Sequence, residues 1–413
     1  MDSIMNKIFR GDRVIWMIFL LLCLISIVEV YSASSRLIIH TDYWKPILQH
    51  STFLLGGLVV VLLFHAIPSR FFSVIGILLP IALLLLIGAR IIGTPINGSY
   101  RWIDLFGITF QPAEVAKLCL ITFTAFVLSK RKDTLTDNSF KWILGATTIT
   151  CGIVIFVNGS GSTGLLLFGI IYLMLFIGQT PLKKMLLLTL SILVSGILFC
   201  TILLTVSDNT LTKHAPRALV WKGRIVNFFS GGKDETDNAA RSITLKEFLD
   251  LSQPDHATIA IAEGRIIGKG PGNSDQRDFL PNAYDDFIYA IVIEEMGLIG
   301  GLGVLLLYII LFIRAGIIAN RSERLFPKFL VMGAALTLVT QALANMAVAV
   351  GLIPVTGQTL PLVSRGGTSI LITCVYIGII LSVSRFENPI GIEREEEIIE
   401  EFNEDEKTAE NSY

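Results

Sequence analysis

Several residue groups in this chain carry chemistry that an apolar setting does not explain. In Phe110-Gln111-Pro112-Ala113-Glu114-Val115-Ala116-Lys117, a carboxylate and an ammonium stand one helical turn apart on one face of an otherwise apolar run. Either charge alone in hydrocarbon is costly, so such residues face a partner or a watery cavity. Two readings stay open here: an ion pair that satisfies itself and locks the helix to a neighbour, or the charged lining of a cavity just inside the outer surface. A second group is Leu280-Pro281-Asn282-Ala283-Tyr284-Asp285-Asp286-Phe287-Ile288-Tyr289-Ala290, where two carboxylates mark the junction of a long loop and an apolar run. Asp285 reads as a helix cap, accepting from the free N–H groups of a helix start. That leaves Asp286 as the candidate for chemistry. Glu294 lies about 12 Å further along a helix rising 1.5 Å per residue. A two-carboxylate glycosidase needs about 5–9.5 Å, so a site with one working carboxylate is expected.

Two loops offer anion-binding chemistry. Gly268-Lys269-Gly270-Pro271-Gly272-Asn273-Ser274 lacks the order of a nucleotide-binding loop. Its backbone N–H groups, single lysine and small polar side chains suit an anionic headgroup, with a simple turn as the plainer alternative. Thr356-Gly357-Gln358-Thr359-Leu360-Pro361-Leu362-Val363-Ser364-Arg365-Gly366-Gly367-Thr368-Ser369 repeats that chemistry, with Arg365 as a second cation. The five histidines have no ligand-like spacing, and the five cysteines lie inside apolar runs with neither a disulfide framework nor a CxxC pair. No redox centre, Ser/His/Asp triad or nucleic-acid module is visible. An outward-facing enzyme without nucleotide chemistry must use a substrate that arrives already activated.

The elements that position these residues are membrane helices. Of 413 residues, 53% are hydrophobic and 16% charged, against about 25% charged in a soluble domain. Apolar stretches of spanning length, about 20 residues, recur near 14–33, 50–67, 71–93, 110–129, 142–158, 162–179, 184–206, 286–313, 328–350 and 365–384. The expected fold is therefore an all-α integral membrane protein of about ten transmembrane helices. The first is read as an uncleaved helix, since its apolar core exceeds that of a signal peptide and more spans follow.

Lys7, Arg10, Arg13, Arg70, Lys130-Arg131-Lys132, Lys141, Lys183-Lys184, Arg314, Arg321, Arg324 and Lys328 all fall on one side of these spans. Basic residues are retained in the cytoplasm, so both termini are expected inside, and 94–109, 207–283 and 351–364 outside. The expected organisation is an amino terminus 1–13, helices one to seven over 14–206, a large extracytoplasmic loop 207–283 between helices seven and eight, helices eight to ten over 284–386, and a tail 387–413. From Gly391 onward that tail has 10 acidic and 2 basic residues, too dense a like charge to bury. The long loop exceeds the usual limit of about 15 residues for a structureless link, so a function is expected of it. Its stretch Thr258-Ile259-Ala260-Ile261-Ala262 is expected to pack on the membrane surface or re-enter it.

Read together, these motifs resemble the SEDS family, the FtsW/RodA/SpoVE group of bacterial cell-wall proteins. G-x-x-R-W-I followed by F-Q-P-S-E-x-x-K-L matches Gly98 to Ile103 and Phe110 to Leu118, with Ala113 in place of serine. G-x-G-x-G-N-S-x-Q-K and L-P-E-x-x-T-D-F-I-F-A match Gly268 to Arg277 and Leu280 to Ala290, and T-G-x-x-L-P-x-x-S-Y-G-G-S-S matches Thr356 to Ser369. The chain departs from the pattern at Asn158-Gly159-Ser160-Gly161-Ser162-Thr163-Gly164, where P-D-x-G-T-A is usual, at Asn282 in place of glutamate and at Arg365 in place of tyrosine.

The resemblance implies a peptidoglycan glycosyltransferase that joins lipid II units into glycan strands at the outer face of the cytoplasmic membrane. It leans toward the division branch over the elongation branch; a flippase or transporter of the lipid-linked precursor and a recruiting scaffold are the alternatives. Asp286 matches the family's essential aspartate and would act as the base. Substrate contacts are implied at Arg101, Gln111, Glu114, Lys117, Lys269, Asn273, Ser274, Gln276, Ser364 and Arg365. Of these, Lys117 and Arg101, with Lys269 or Arg365, would take the pyrophosphate. No cofactor is required, although a divalent cation fits the chemistry. The implied partners are a class B penicillin-binding transpeptidase and other membrane proteins of the division machinery, and no nucleic acid.

Overall fold

The computed structural model describes residues 10–33, 45–96, 99–105, 108–131, 135–208, 216–229, 253–280 and 283–386. The acidic tail and 230–252 of the long loop lie outside the described residues. The first helices are α1 (Arg13–Ala33), α2 (Lys45–Ala66), the short α3 (Ser73–Ile77) and α4 (Leu79–Ile92). A small antiparallel sheet follows, β1 (Thr94–Ile96), β2 (Ser99–Leu105) and β3 (Ile108–Phe110), with Trp102 opposite Thr94 and Ile103 opposite Phe110. Then come α5 (Pro112–Ser129), α6 (Asp137–Gly152), α7 (Gly161–Ile177), α8 (Leu182–Thr205), α9 (Pro216–Phe229), α10 (Gln253–Gly264), α11 (Ile288–Arg321), α12 (Leu325–Ala349) and α13 (Thr368–Phe386).

The protein is thus an all-helical, multi-pass membrane protein, with the three short strands as its only described sheet. Eight described helices are long and apolar enough to cross a bilayer. The pair formed by Ser69–Ile77 and α4, bent by 48°, makes a ninth if counted as one span, and the expected sixth span falls on the 17-residue α7. Two of the described helices, α9 and α10, sit in the long loop. Of these, α10 packs on α11 through the buried Ala257, Ala260 and Gly264, so the Thr258–Ala262 stretch lies against protein on that face.

Burial is uneven, and that unevenness locates the site. In α5, α12 and α13 the apolar windows are 72%, 78% and 72% buried, whereas in α8 the share is 6%. The first three form the centre and α8 stands at the rim. Outside that centre, α1 and α11 run antiparallel and are pinned at both ends, by the Arg314–Asp12 ion pair and by the Ser32 hydroxyl donating to Glu295. The two helices are in contact, and each buries apolar side chains, Ile15, Phe19 and Leu22 on α1 and Val304, Tyr308 and Leu311 on α11.

The helix α11 is broken at Gly297, whose φ of 70° and ψ of −176° are not helical. A break frees backbone groups that must find partners, because unpaired buried N–H and C=O groups are costly. Residues 264–270 supply them: Lys269 and Gly270 N–H donate to the carbonyls of Glu294 (3.0 Å) and Glu295 (2.8 Å), while Leu298 N–H donates to Arg265 (2.9 Å). The backbones come so close that a Cβ on Gly297 would lie 2.2 Å from the Ile266 carbonyl oxygen.

Candidate functional site

Pro112 opens α5, where its missing N–H costs least, and the first two turns bring Glu114 and Lys117 inward. Lys117 is completely buried, its Nζ 2.8 Å from Glu114 Oε1 and donating to Gln341 Oε1 at 3.0 Å. The charge is therefore paired within its own helix and aimed by an amide of α12. Gln341 in turn donates from Nε2 to the Thr359 carbonyl at 3.1 Å. One turn further along α12, Asn345 Nδ2 donates to the backbone carbonyls of Asp286 (2.9 Å) and Gln358 (2.7 Å). Residues four apart share a helix face, so one stripe of α12 grips the lysine, the Asp286 turn and the 356–365 loop.

The same loop closes on Asp286 from the other side. Ser364 Oγ donates to the Asp285 carbonyl at 2.7 Å and accepts from Leu360 N–H at 2.7 Å, and Arg365 N–H donates to the Tyr284 carbonyl at 2.9 Å. The Arg365 guanidinium lies 5.5 Å from the centre of the Tyr284 ring and donates to Gln49 Oε1 at 3.0 Å. Asp286 itself is partly buried. Its neighbour Asp285 does not cap α11: the cap position is Phe287, with no side-chain capping bond. Instead Asp285 Oδ1 is buried without a hydrogen-bond partner. Burial, and then the nearby Asp286, push its carboxyl up to about 8, while Arg365 pulls it down.

The glycine-rich loop is organised differently from the headgroup cradle that its composition points to. Its N–H groups are taken by the protein's own carboxylates, Gly272 and Ser274 N–H donating to Glu295 at 2.9 and 3.3 Å and Asp275 N–H to Glu294 at 2.9 Å. Ser274 Oγ donates to Glu294, Asn273 Nδ2 to the Lys269 carbonyl, and Gln276 Oε1 faces His256 Nδ1 at 3.0 Å. Lys269 sits among Glu263, Asp275 (2.7 Å) and Glu294 (2.8 Å). Burial would lower its ammonium, but hydrogen bonds to the three carboxylates raise it above the ordinary lysine range. Those three carboxylates are the one described group close enough to hold a metal ion, and the cation among them is Lys269.

The structure thus gathers Glu114, Lys117, Asp286, Ser364 and Arg365 around α12, and places Lys269, Asn273, Ser274 and Gln276 in the splint at the α11 break. Gln111 precedes α5 as its cap residue without a side-chain capping bond. Arg101 lies on β2, and its side chain is outside the described residues. Sequence reasoning passed over Gln341, Asn345 and the buried carboxyl of Asp285. The signal for the first two was present: two amides at i and i+4 in an apolar span.

Fold and site together define a polytopic membrane protein with a buried ion pair and an acidic turn held over one helix face. The family model described as "Cell cycle protein", that of FtsW, RodA and SpoVE, matches residues 12–389, and the chain belongs to this family. A relative named probable peptidoglycan glycosyltransferase FtsW from Haemophilus influenzae is 34% identical over 387 residues, covering 90% of each chain. One of the same name from Saccharophagus degradans is 32% identical over 377 residues, covering 87% of this chain and 89% of its own. The fold is similar to that of a chain from a peptidoglycan synthase complex that coordinates polymerization and crosslinking (TM-score 0.71, 23% identity, 92% of this chain and 99% of that one). It is also similar to the rod shape determining protein RodA of Thermus thermophilus (TM-score 0.62, 22% identity, 91% and 97%).

Proposed function

We propose that this chain is a peptidoglycan glycosyltransferase that polymerises lipid II, with its site at the outer face of the cytoplasmic membrane, both termini inside and a role in division. The observation that carries the reading is the Gln341–Asn345 stripe, which holds a buried ammonium and the Asp286 turn within one neighbourhood. Asp286 takes the proton of the acceptor sugar hydroxyl as that oxygen bonds to the donor's anomeric carbon. The bond from that carbon to the lipid diphosphate breaks, and the diphosphate leaves with its electron pair. A diphosphate is a good leaving group, so no general acid is needed. A positioned base typically contributes 10²–10⁴-fold, and the held cations Lys117 and Arg365, joined by Arg101 as the resemblance implies, stabilise the departing anion. No step is assigned to a divalent cation.

Glu114 and Lys117 are what a transporter of the lipid precursor would use. Their mutual pairing and the Gln341 contact favour a fixed electrostatic element over a carrier that must pass charge along. The relatives' names support the enzyme, and the crosslinking complex with a similar fold supports a class B penicillin-binding transpeptidase as partner. The test is glycan synthesis from purified lipid II in detergent or liposomes, with and without the transpeptidase. Asp286→Asn should remove synthesis by at least about a hundredfold while the unfolding temperature stays near that of the parent. Retained synthesis would overturn the base assignment, and lipid II translocation without polymer would overturn the enzyme.

A further inference from the structure

Asp285 is an ionisable group in this site that the reaction scheme above does not use. Its Oδ1 is sealed from solvent and accepts no hydrogen bond, and its backbone carbonyl is fixed by Ser364 Oγ at 2.7 Å. The charged and titratable groups that act on it are Asp286 and Tyr284 on its own turn and Arg365 on the 356–365 loop. The guanidinium of Arg365 is partly committed elsewhere, to Gln49 Oε1 and the face of Tyr284, and forms no ion pair with Asp285. From α12, the neighbour that holds this turn is the uncharged Asn345. A carboxylate with one oxygen sealed from water and unpartnered, and with no ion-pair partner, is disfavoured, and such a group keeps its proton instead.

We propose that Asp285 is a specificity-setting neighbour of Asp286: kept neutral by its sealed, unpartnered Oδ1, it leaves the acidic turn a single negative charge for an anionic lipid diphosphate to meet, and a second charge on that turn would set the site against that substrate. The inference rests on the glycosyltransferase reading for its substrate and on the geometry of the turn for its proton. Burial and Asp286 both push the carboxyl upward, to about 8, and Arg365 opposes them. Below that value Asp285 adds no charge to the turn; above it, a second carboxylate faces a substrate that is itself negative. The effect belongs in KM, because it concerns an anion entering the site.

The same proton shows in stability. An unfolded aspartate ionises near pH 3.9, whereas folded Asp285 keeps its proton to about 8. Between these values the folded state binds one more proton than the unfolded chain, so stability is lost as pH rises. An asparagine in its place does not titrate and escapes that loss.

The experiment compares the full chain with Asp285→Asn from pH 5 to 9.5, measuring lipid II polymerisation kinetics and the unfolding temperature in detergent. In the parent, KM should rise roughly fivefold or more between pH 7 and 9.5; in Asp285→Asn it should stay flat. The difference in unfolding temperature in favour of Asp285→Asn should widen steadily from pH 5 to 8. Arg365→Gln removes the opposing charge, and its alkaline rise in KM should begin at higher pH than in the parent. An equal KM rise in parent and Asp285→Asn, or a temperature difference that does not change with pH, would overturn the proposal. If the parent makes no polymer at any pH, the glycosyltransferase reading fails, and the temperature difference still decides where the proton of Asp285 resides.

Discussion

Lys117 is the residue on which the site's electrostatics turn. It is 0% exposed, within a helix whose window is 72% buried, and its compensation comes from Glu114 on the preceding turn. Removing one member of a buried pair leaves an uncompensated charge and typically costs about 3–5 kcal/mol, while removing both is far milder. Glu114→Gln and Lys117→Met should therefore each lower the unfolding temperature sharply, and the double variant should recover most of the loss. Additive single losses, measured by thermal unfolding in detergent, would show that the pair is not coupled. The sequence showed that Glu114 and Lys117 need compensation, because charge inside an apolar run is costly, but left open whether they pair with each other or line a cavity. Gln341 and Asn345 left only their i, i+4 spacing as a signal, since a neutral amide in a span does not demand a partner until its neighbour is known. Asp285 was misread for a related reason. A carboxylate near a helix start suits the role of cap, but the chain stays non-helical through Phe287, and α11 begins a residue later with its cap position filled by a side chain that cannot accept.

Among the elements, the break in α11 decides what the glycine-rich loop can do. Its composition, small residues around one lysine, describes equally well a cradle for an external anion and a segment that must approach another backbone closely. The structure uses the second property: Gly264 and Gly268 approach the Ile293 and Glu295 carbonyls so closely that a Cβ would lie 2.0 and 2.2 Å from those oxygens. Glu294, read from sequence only as a carboxylate too far from Asp286 for a paired mechanism, and its neighbour Glu295 turn out to fill the N–H groups of that loop. Gly297→Ala would force a side chain into a left-handed conformation and against the Ile266 carbonyl. A left-handed non-glycine residue alone costs about 1–3 kcal/mol, and the contact adds to it. The variant should unfold at lower temperature and show faster amide exchange at 264–276 and 293–299, leaving α12 protected. Unchanged exchange in those two segments would mean that the splint does not depend on the break.

At the scale of the whole molecule, the spans were legible because a bilayer imposes a length that no loop imitates, whereas the bent pair ending in α4 and the shortened α7 depend on packing that hydropathy does not record. Apolarity gives no direction, and the direction of the chain comes from charge. Arg13, Arg70, Lys130, Arg131, Lys141, Lys184, Arg314 and Arg324 gather at the helix ends opposite the β1–β3 sheet, the long loop and the Asp286 turn. Several are anchored there, Arg314 to Asp12, Lys184 to Asp137 and Arg131 over the Phe329 ring at 5.0 Å. Basic ends are held on the cytoplasmic side during insertion, which supports the proposed placement of Asp286 at the outer surface, where a lipid-linked sugar polymerised into the wall would be presented. That placement is open to direct test. With a membrane-impermeant maleimide on intact cells, Val226→Cys in α9 should label from outside, and Lys141→Cys in α6 only after the membrane is opened. The native thiols Cys119, Cys151 and Cys374 are buried, so background from them is low, and the unsubstituted chain supplies the baseline for Cys23 and Cys200. Labelling in the reverse order would put the acidic turn in the cytoplasm, and a polymerase that builds the wall from there would have no route for its product.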